Sequence, residues 1–440
     1  MSLIYWCEQA WLPEGVADGV LVEVERARIA GVTRGEPGGA RRLAGLTIPG
    51  LANAHSHAFH RALRAATQKG RGDFWTWRDR MYEVADRLDP DAYLRLARAV
   101  YAEMALAGVT CVGEFHYLHH GPGGTPYEDR NAMGHALITA AREAGLRIAL
   151  IDACYVSGGP GVALAGTQLR FGDGDAGGWA ARAEELAAAY GGTPGVRIGA
   201  AIHSVRAVPP EQMPVVVEFS HRHAAPLHAH VSEQRAENAA CEAAYAASPV
   251  RVLHEHGALG PRSTAVHATH LSEADIELLG SSRTHMCMCP TTERELADGI
   301  GPAREVFDRG SPMTLGSDSH AVIDLFEEAR AVELNARLAT ERRGHWSAAE
   351  LLGAATAAGH TSLGFPDAGL LVPGAWADLV TVRMDTVRTA GASGLEAVAF
   401  AATAADVRTV ISGGRRIVDE GRHVLGDVGA LLAEAMEELR

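Results

Sequence analysis

Eight short apolar or β-branched runs alternate with longer segments of helical period, and this alternation limits the possible folds more than any other feature. A strand that is followed by a helix and then by another strand is typical of parallel sheets. Eight such units close into a (β/α)₈ barrel of the TIM type, which we predict over residues 47–365. The predicted strands cover residues 47–54, 109–115, 147–155, 196–203, 225–231, 263–269, 283–289 and 311–318.

The two chain ends have a different pattern. Residues 1–46 and 366–440 contain short alternating runs that are separated by turn signals such as GG and DEG, and this pattern predicts strands and hairpins. Neither end alone is long enough for a substantial core. We therefore expect the two ends to pair into one small β-sandwich domain beside the barrel, within an overall α/β fold.

Charge and apolar content exclude several classes of protein. The chain has 40 Lys and Arg against 54 Asp and Glu, a formal net charge of −14, with no basic run, which argues against nucleic acid or an anionic membrane as partner. No apolar stretch approaches the roughly 18 residues of a membrane span. The first residues lack the basic and apolar segments of a signal peptide. Six scattered Cys indicate free thiols in a reducing cytoplasm.

The carboxyl ends of the predicted barrel strands are rich in side chains that bind metals and carry protons, and function sits at that end of this fold. The segment NAHSH places His55 and His57 on one face of the first strand, because successive side chains alternate. A lone His on a strand is usually structural, but an HxH pair at the end of an apolar strand favours metal binding. Other polar residues follow later strands: Glu114, His116, Tyr117, His203, Arg206, Glu233, His267, His270 and Asp318.

His230 and Asp318 would complete a site of three nitrogens and one oxygen. Such a site suits Zn²⁺ or another borderline divalent metal and leaves one position for water. Both residues also have a structural interpretation, because His228 lies on the same face as His230 and Asp318 in GSDSH could cap a helix. We favour His230 over His228 because Glu233 follows it by three residues, just past the strand end.

These motifs together resemble the amidohydrolase superfamily, in its branch of deaminases that use one metal ion. The resemblance rests on HSH after the first strand, HxxE after the fifth, VHATH after the sixth and GSDSH at the eighth. It covers nearly the whole chain, including the PGAWADLV segment of the terminal domain. Finer motifs are similar to those of the formimidoylglutamate deiminase family: NAHSHAFHRA, DFWTWRDRMY, EFHYLHH, HSVRAV, HAHVSEQ, VHATH, TTERELADGIGP and LGSDSH.

The resemblance implies a role for each matching residue. It assigns one Zn²⁺ per chain, or another divalent metal, to His55, His57, His230 and Asp318. Asp318 would also act as the base, Glu233 would shuttle a proton to the leaving nitrogen, and His267 would hold the attacking water. The substrate would be bound by His60, Arg78, Tyr117, His203 and Arg206. The chain departs from the family at His60, where the family has Gln, so the contact made there is open.

The implied reaction is the hydrolysis of N-formimino-L-glutamate to N-formyl-L-glutamate and ammonia, and the family resemblance suggests a homodimer. Arg206 and Arg78 suit a small dicarboxylate, because a guanidinium binds a carboxylate through two parallel hydrogen bonds. The one lysine of the chain, Lys69, lies far from the fourth strand, where a carbamylated lysine would bridge two metals. We therefore expect one metal ion.

Two alternatives remain open. The same metal chemistry could deaminate another amidine or an aminoheterocycle, and a ring of that kind would require aromatic walls in place of two arginines. The barrel could instead be an inactive binding module. Such a module would be expected to have lost at least one of the metal or proton-transfer residues, and none is missing.

Overall fold

The computed structural model describes residues 3–68 and 74–439, which form two eight-stranded sheets and the helices around them. The strands are β1 Leu3–Leu12, β2 Gly15–Glu25, β3 Arg28–Arg34, β4 Arg41–Pro49, β5 Leu51–Ser56, β6 Val109–His116, β7 Arg147–Cys154, β8 Val196–Ile202, β9 Leu227–Val231, β10 Ser263–His267, β11 His285–Met288, β12 Met313–Leu315, β13 Leu379–Val382, β14 Val407–Ser412, β15 Arg415–Asp419 and β16 Arg422–His423. The α-helices are α1 Phe74–Arg87, α2 Pro90–Leu106, α3 Ala132–Ala144, α4 Ala176–Tyr190, α5 Met213–His223, α6 Arg235–Tyr245, α7 Pro249–Glu255, α8 Glu273–Ser282, α9 Pro290–Glu295, α10 Ala303–Asp308, α11 Leu325–Thr340, α12 Ala348–Gly353, α13 Gly359–Ser362, α14 Gly394–Phe400 and α15 Val428–Glu438.

Strands β5 to β12 form the predicted barrel, side by side in chain order and all in parallel. Strand β5 meets the segment after β12 at a bridge between Ser56 and Asp318. There the Asp318 N–H donates to the His55 carbonyl at 3.0 Å, and the His57 N–H donates to the Asp318 carbonyl at 3.2 Å. Gly316 permits this approach, because a Cβ at that position would lie 2.7 Å from Cβ of His55. The barrel is therefore closed where the predicted metal ligands lie.

Strands from both chain ends form the second sheet, in the order β16-β15-β14-β13-β4-β1-β2-β3. Strand β4 joins the two ends, because it pairs in parallel with β1 and antiparallel with β13. This sheet has its own apolar core, which includes Tyr5, Val22, Leu43, Leu379 and Ile411. The predicted barrel with a small composite β domain is confirmed, and the strands of the small domain form one continuous sheet. The division of the chain at residues 46/47 and 365/366 stays a prediction.

The predicted strand at 47–54 is in fact two strands. Strand β4 ends at Pro49 in the terminal sheet, and β5 begins at Leu51 in the barrel. Gly50 lies between them, where its N–H donates to the Asp378 carbonyl at 3.1 Å and a Cβ would lie 2.7 Å from Cβ of Asp378. A continuous apolar run does not reveal this change of sheet, because both strands are buried.

The region 366–440 was predicted as strands and turns, but it also contains the helices α14 and α15. Helix α15 packs on the barrel, where Glu438 forms an ion pair with Arg95 of α2 at 2.7 Å. Short apolar runs do not distinguish such helices from strands. Among the described helices, none combines the length and apolar character that a membrane span requires.

Candidate metal and substrate site

Three His side chains converge at the carboxyl end of the barrel. His55 is in β5, His57 follows it, and His230 is in β9, and ligand atoms of all three lie within 4.8 Å of one another. Nε2 of His55 is 3.2 Å from Nε2 of His230. Oδ1 of Asp318, which follows β12, is 3.5 Å from Nε2 of His55 and 3.4 Å from Nε2 of His57. Three imidazole nitrogens and one carboxylate oxygen therefore surround a common point.

Backbone carbonyls fix the orientation of two of these rings. Nδ1 of His57 is 2.8 Å from the Phe115 carbonyl, and Nδ1 of His230 is 2.9 Å from the His203 carbonyl. Because a carbonyl oxygen only accepts, each Nδ1 carries the hydrogen and leaves the Nε2 lone pair free. Burial lowers the pKa of both rings well below the ordinary histidine value. Neutral imidazoles beside a carboxylate are a donor set that Zn²⁺ prefers.

A pair of groups that can carry a proton lies beside the His–Asp cluster. His267 ends β10, and its Nε2 is 3.6 Å from Oδ2 of Asp318 and 3.8 Å from Oε1 of Glu233. Its Nδ1 is 3.6 Å from Oε1 of Glu293. Burial opposes protonation of His267, but Glu233, Glu293 and Asp318 outweigh it and raise the pKa of His267 well above the usual value. Burial also raises the pKa of Glu233. The pair can therefore hold a proton close to Asp318.

His230 and its neighbour His228 make different contacts in the structure. Both side chains are buried in the barrel, but Nε2 of His228 lies 3.3 Å from the carbonyl of Ser362 in α13. Among the described residues, His228 belongs to none of the groups whose ligand atoms could share a metal ion. The geometry therefore favours His230 over His228 as a ligand.

One cavity adjoins the cluster and is lined by ten of the eleven predicted site residues. The remaining one, His55, is fully buried behind His230. The ten residues in the lining are His57, His60, Arg78, Tyr117, His203, Arg206, His230, Glu233, His267 and Asp318. The structure thus brings the predicted metal, proton-transfer and substrate residues together, and their individual roles stay predictions.

Two arginines supply positive charge to this cavity. Arg206 lies in the turn after β8 and Arg78 lies in α1, and both are half-buried. No carboxylate oxygen of the described residues lies within 4.0 Å of the Arg206 guanidinium, although Glu233 and Glu237 line the same cavity. The guanidinium of Arg78 is centred 5.5 Å from the ring of Tyr82. Arg206 can therefore pair with an incoming carboxylate without first losing a protein anion.

His60 contacts Tyr117 inside the cavity. Nε2 of His60 lies 2.8 Å from the Tyr117 hydroxyl, and its ring centre is 4.5 Å from that of His57. The ring of His203 lies 5.3 Å from Tyr117 and 5.0 Å from His230. The position that departs from the family motif is therefore bonded to a neighbouring side chain of the same wall.

Comparison with known proteins agrees with this geometry. The sequence profile of the Amidohydrolase family matches residues 46–417. The chain belongs to the amidohydrolase family. It is 35% identical over 439 residues to the formimidoylglutamate deiminase of Pseudomonas aeruginosa, a match that covers 96% of each chain. It is 30% identical over 404 residues to a 5-methylthioadenosine/S-adenosylhomocysteine deaminase of Pelotomaculum thermopropionicum, covering 89% of this chain and 85% of that one. A solved amidohydrolase from Brucella melitensis matches with a TM-score of 0.93 at 32% identity, over 99% of both chains.

This amidohydrolase is a hydrolase of carbon–nitrogen bonds, within the deaminases of the family. Its small-molecule cavity contains residues that the sequence motifs did not single out. Glu237 of α6 accepts a hydrogen bond from the Glu233 N–H at 3.3 Å, and its other carboxyl oxygen is buried without a hydrogen bond in the described part of the chain. Burial raises the pKa of Glu237 to about 7. Lys69, from which we predicted a single metal, lies outside the described residues.

Aromatic side chains also line the cavity and were not predicted there. They are Trp77, Tyr82, Tyr155 and Phe171. They come from α1 and from the segment between β7 and α4. No short motif marks them, because an aromatic residue in a helix or loop is usually part of the apolar core.

Proposed function

We propose that this amidohydrolase hydrolyses the imino group of N-formimino-L-glutamate, giving N-formyl-L-glutamate and ammonia. Arg206 carries the proposal, because its guanidinium lines the cavity beside Glu233 and Asp318 and no carboxylate of the described residues pairs with it. A substrate carboxylate would supply the missing negative charge. The similarity to the Pseudomonas aeruginosa deiminase over nearly the whole length supports the same substrate.

His55, His57, His230 and Asp318 would hold one Zn²⁺ per chain. Three imidazole nitrogens and one carboxylate oxygen are donor types that Zn²⁺ prefers. When bound, the ion would supply a Lewis acid that lowers the pKa of water to about 7. The remaining steps are assigned to side chains.

The proton transfers need one group that takes a proton and one that delivers it. Asp318 would take the proton of the attacking water, and Glu233 would deliver a proton to the nitrogen that leaves as ammonia. His267 is suited to orient the water, because its Nε2 lies between the two carboxylates. Water adds to the formimino carbon, the carbon–nitrogen bond to the terminal nitrogen breaks, and the formyl oxygen comes from water.

The carboxylates of the substrate would be bound by Arg206 and Arg78. Tyr117 and His203 would contact the rest of the molecule from the wall beside His230. His60 would act through Tyr117, since its Nε2 is already bonded to that hydroxyl. A homodimer stays a prediction, which light scattering can test.

Deamination of an aminoheterocycle is the second candidate, because the aromatic side chains of the cavity could stack on a ring. The similarity to the deaminase of Pelotomaculum thermopropionicum is compatible with it. We favour the dicarboxylate, since a ring substrate without a carboxylate would leave Arg206 unpaired.

Ammonia release separates the two candidates. Zinc-loaded enzyme would be assayed side by side with N-formimino-L-glutamate, N-formimino-L-aspartate and adenine and guanine compounds, with the His55→Ala variant as background. We expect the highest kcat/KM for formimino-glutamate. A higher kcat/KM for a purine compound would contradict the proposal and favour the second candidate. Elemental analysis should find one metal ion per chain, and two ions would contradict the assigned site.

A further inference from the structure

A chain of buried hydrogen bonds crosses the seam where β5 meets the segment after β12. Nε2 of His320 is 3.1 Å from Oγ of Ser56, and Nδ1 of His320 is 3.0 Å from Oγ of Ser317. Oγ of Ser56 is 2.6 Å from Oε2 of Glu114. On the other side, Nδ2 of Asn53 is 2.7 Å from Oγ of Ser317. All five side chains are fully or almost fully buried, and none is among the predicted metal or substrate residues.

The contacts of Asn53 determine which group donates and which accepts in each of these hydrogen bonds. The Ser317 N–H can only donate, and it lies 2.9 Å from Oδ1 of Asn53, so Nδ2 of Asn53 is the donor to the Ser317 hydroxyl. The Ser317 hydroxyl then has its own hydrogen to donate to Nδ1 of His320. A neutral ring must in that case carry its hydrogen on Nε2, which donates to Oγ of Ser56. The Ser56 hydroxyl in turn donates to Oε2 of Glu114.

The opposite direction would be less favourable. If Nδ1 of His320 carried the hydrogen, Ser317 Oγ would accept from both Asn53 and His320. Its own hydrogen would then have no acceptor side chain among the described residues. A buried hydroxyl without a partner costs about 1–3 kcal/mol. Only the first direction uses every hydrogen of the chain.

We propose that His320 is a positioning residue whose Nε2–H form completes this one-directional chain and thereby holds the metal ligands of the two joined strands in register. The proposal rests on the metal site of the proposed function. Two contacts connect the chain to the ligands. Oε1 of Glu114 accepts from the Ala58 N–H at 2.7 Å, immediately after His57, and Ser317 directly precedes Asp318.

Two residues at the seam have an unfavourable backbone conformation. Asp318 and His320 have φ values of 42° and 58°, a left-handed conformation that is unfavourable for residues with a side chain. The segment after β12 is also held by backbone bonds to β5 and by side-chain bonds from Thr292 and Arg64. The hydrogen-bond chain adds side-chain contacts to Asn53 and Ser56 of β5. This series of hydrogen bonds therefore adds restraint at the point where Asp318 must face His55 and His57. Outer partners of metal ligands commonly contribute to affinity in this way.

Zinc affinity is the first test, measured by competition with a chelator on the purified enzyme. His320→Phe keeps a ring of similar size and removes both nitrogens, and Ser56→Ala removes the next hydroxyl. We expect each to weaken zinc binding by about 10- to 100-fold, the usual effect of losing an outer partner. His320→Gln should recover part of the affinity, because its amide can both accept and donate. His285→Phe is the matched control, since His285 is a buried imidazole of β11 that takes no part in the hydrogen-bond chain. This variant should bind zinc like the unchanged enzyme.

Coupling between the two positions separates this role from general destabilisation. In the double variant His320→Phe with Ser56→Ala, the two losses of zinc affinity should be far from additive, because the first substitution already breaks the chain. Additive losses would contradict the chain. If His320→Phe fails to fold, Ser56→Ala and His320→Gln still give the comparison.

The tautomer itself can be observed by ¹⁵N NMR of the zinc-loaded enzyme with labelled histidine, where the signal missing from His320→Gln identifies the ring. We expect hydrogen on Nε2 alone. Hydrogen on Nδ1, or unchanged zinc affinity in both His320→Phe and Ser56→Ala, would overturn the inference. If the unchanged enzyme bound no zinc, the metal site of the proposed function would fail first, so the two failures are distinguishable.

Discussion

The two halves of the cavity are built differently. The metal half lies on the ends of β5, β9 and β10 and on the closing bridge after β12, and backbone carbonyls orient His57 and His230. The substrate half comes from helices and turns: Arg78 from α1, Arg206 from the turn after β8, and Glu237 from α6. The difference is one of backbone support, because each half contains buried atoms without a hydrogen bond among the described residues: Nδ1 of His55 and His267 in the metal half, and Nδ1 of His60 and Oε1 of Glu237 in the substrate half.

This difference predicts which positions of the cavity tolerate substitution. Strand ends are fixed by the sheet, so a ligand there has one position and its loss removes the site. Helix and turn residues can change without disturbing the barrel, and they determine which molecule fits. Substitutions in the metal half should therefore abolish activity, whereas substitutions in the substrate half should change affinity and preference.

The largest effect is expected at His230. His230→Ala removes a nitrogen ligand and should reduce both bound zinc and ammonia release below detection, because only three of the four protein ligands remain. His228→Ala is the matched control two residues earlier, and it should keep one zinc per chain because its Nε2 contacts the Ser362 carbonyl. Elemental analysis and ammonia release measure both. Loss of zinc in His228→Ala with retention in His230→Ala would reverse the assignment.

A smaller effect, without loss of metal, is expected at the boundary of the two halves. Glu233→Gln keeps the size of the side chain but removes the group that titrates. The rate should fall by roughly 10²- to 10⁴-fold, the usual contribution of general acid–base catalysis, while zinc content stays at one per chain. Steady-state kinetics and elemental analysis check this. Near-full activity of this variant would remove Glu233 from the mechanism.

The substrate half is tested by Arg206→Met. The change would leave a substrate carboxylate unpaired in a largely buried cavity, which typically costs about 2–5 kcal/mol, or a 30- to several-thousand-fold lower kcat/KM at about 1.4 kcal/mol per decade. Arg206→Lys should restore only part of the loss, because an ammonium lacks the planar pair of donors. Zinc content should not change in either variant. A wild-type rate with formimino-glutamate would contradict the carboxylate contact and strengthen the heterocycle candidate.

The same contrast explains what the sequence could predict. His55 and His57 were recognisable because strand side chains alternate and function lies at the carboxyl ends of barrel strands. His320 was not, because its partner Ser56 is 264 residues away and the contact exists only after the barrel closes. Glu237 appears in the sequence as an ordinary helix residue. In the folded chain, Ser232 has a φ of 53° and turns the backbone just before Glu233. The Glu233 N–H then donates to Glu237 in the first turn of α6.

The smallest effect is expected at Glu237, and it tests where the boundary between the metal half and the substrate half lies. Burial is the main cause that raises its pKa to about 7, with Glu233 adding to the rise and Arg206 opposing it. Below pH 7 the side chain is neutral, and above it the carboxylate shares the cavity with Arg206 and with any substrate carboxylate bound there. Like charges about 4 Å apart in water repel by about 1 kcal/mol, which is about fivefold in affinity. The KM for formimino-glutamate should therefore rise by roughly that factor as the pH passes upward through 7.

Glu237→Gln tests this directly, because the amide oxygen can still accept the Glu233 N–H but carries no charge at any pH. The pH-dependent rise in KM should disappear, while kcat and zinc content stay near those of the unchanged enzyme. Glu242→Gln on an exposed position of the same helix is the matched control and should keep the rise. If both variants kept it, Glu237 would only cap the helix. If kcat fell and KM did not change, Glu237 would belong with Glu233 in the proton-transfer half of the site, and the boundary between the two halves would move to α6.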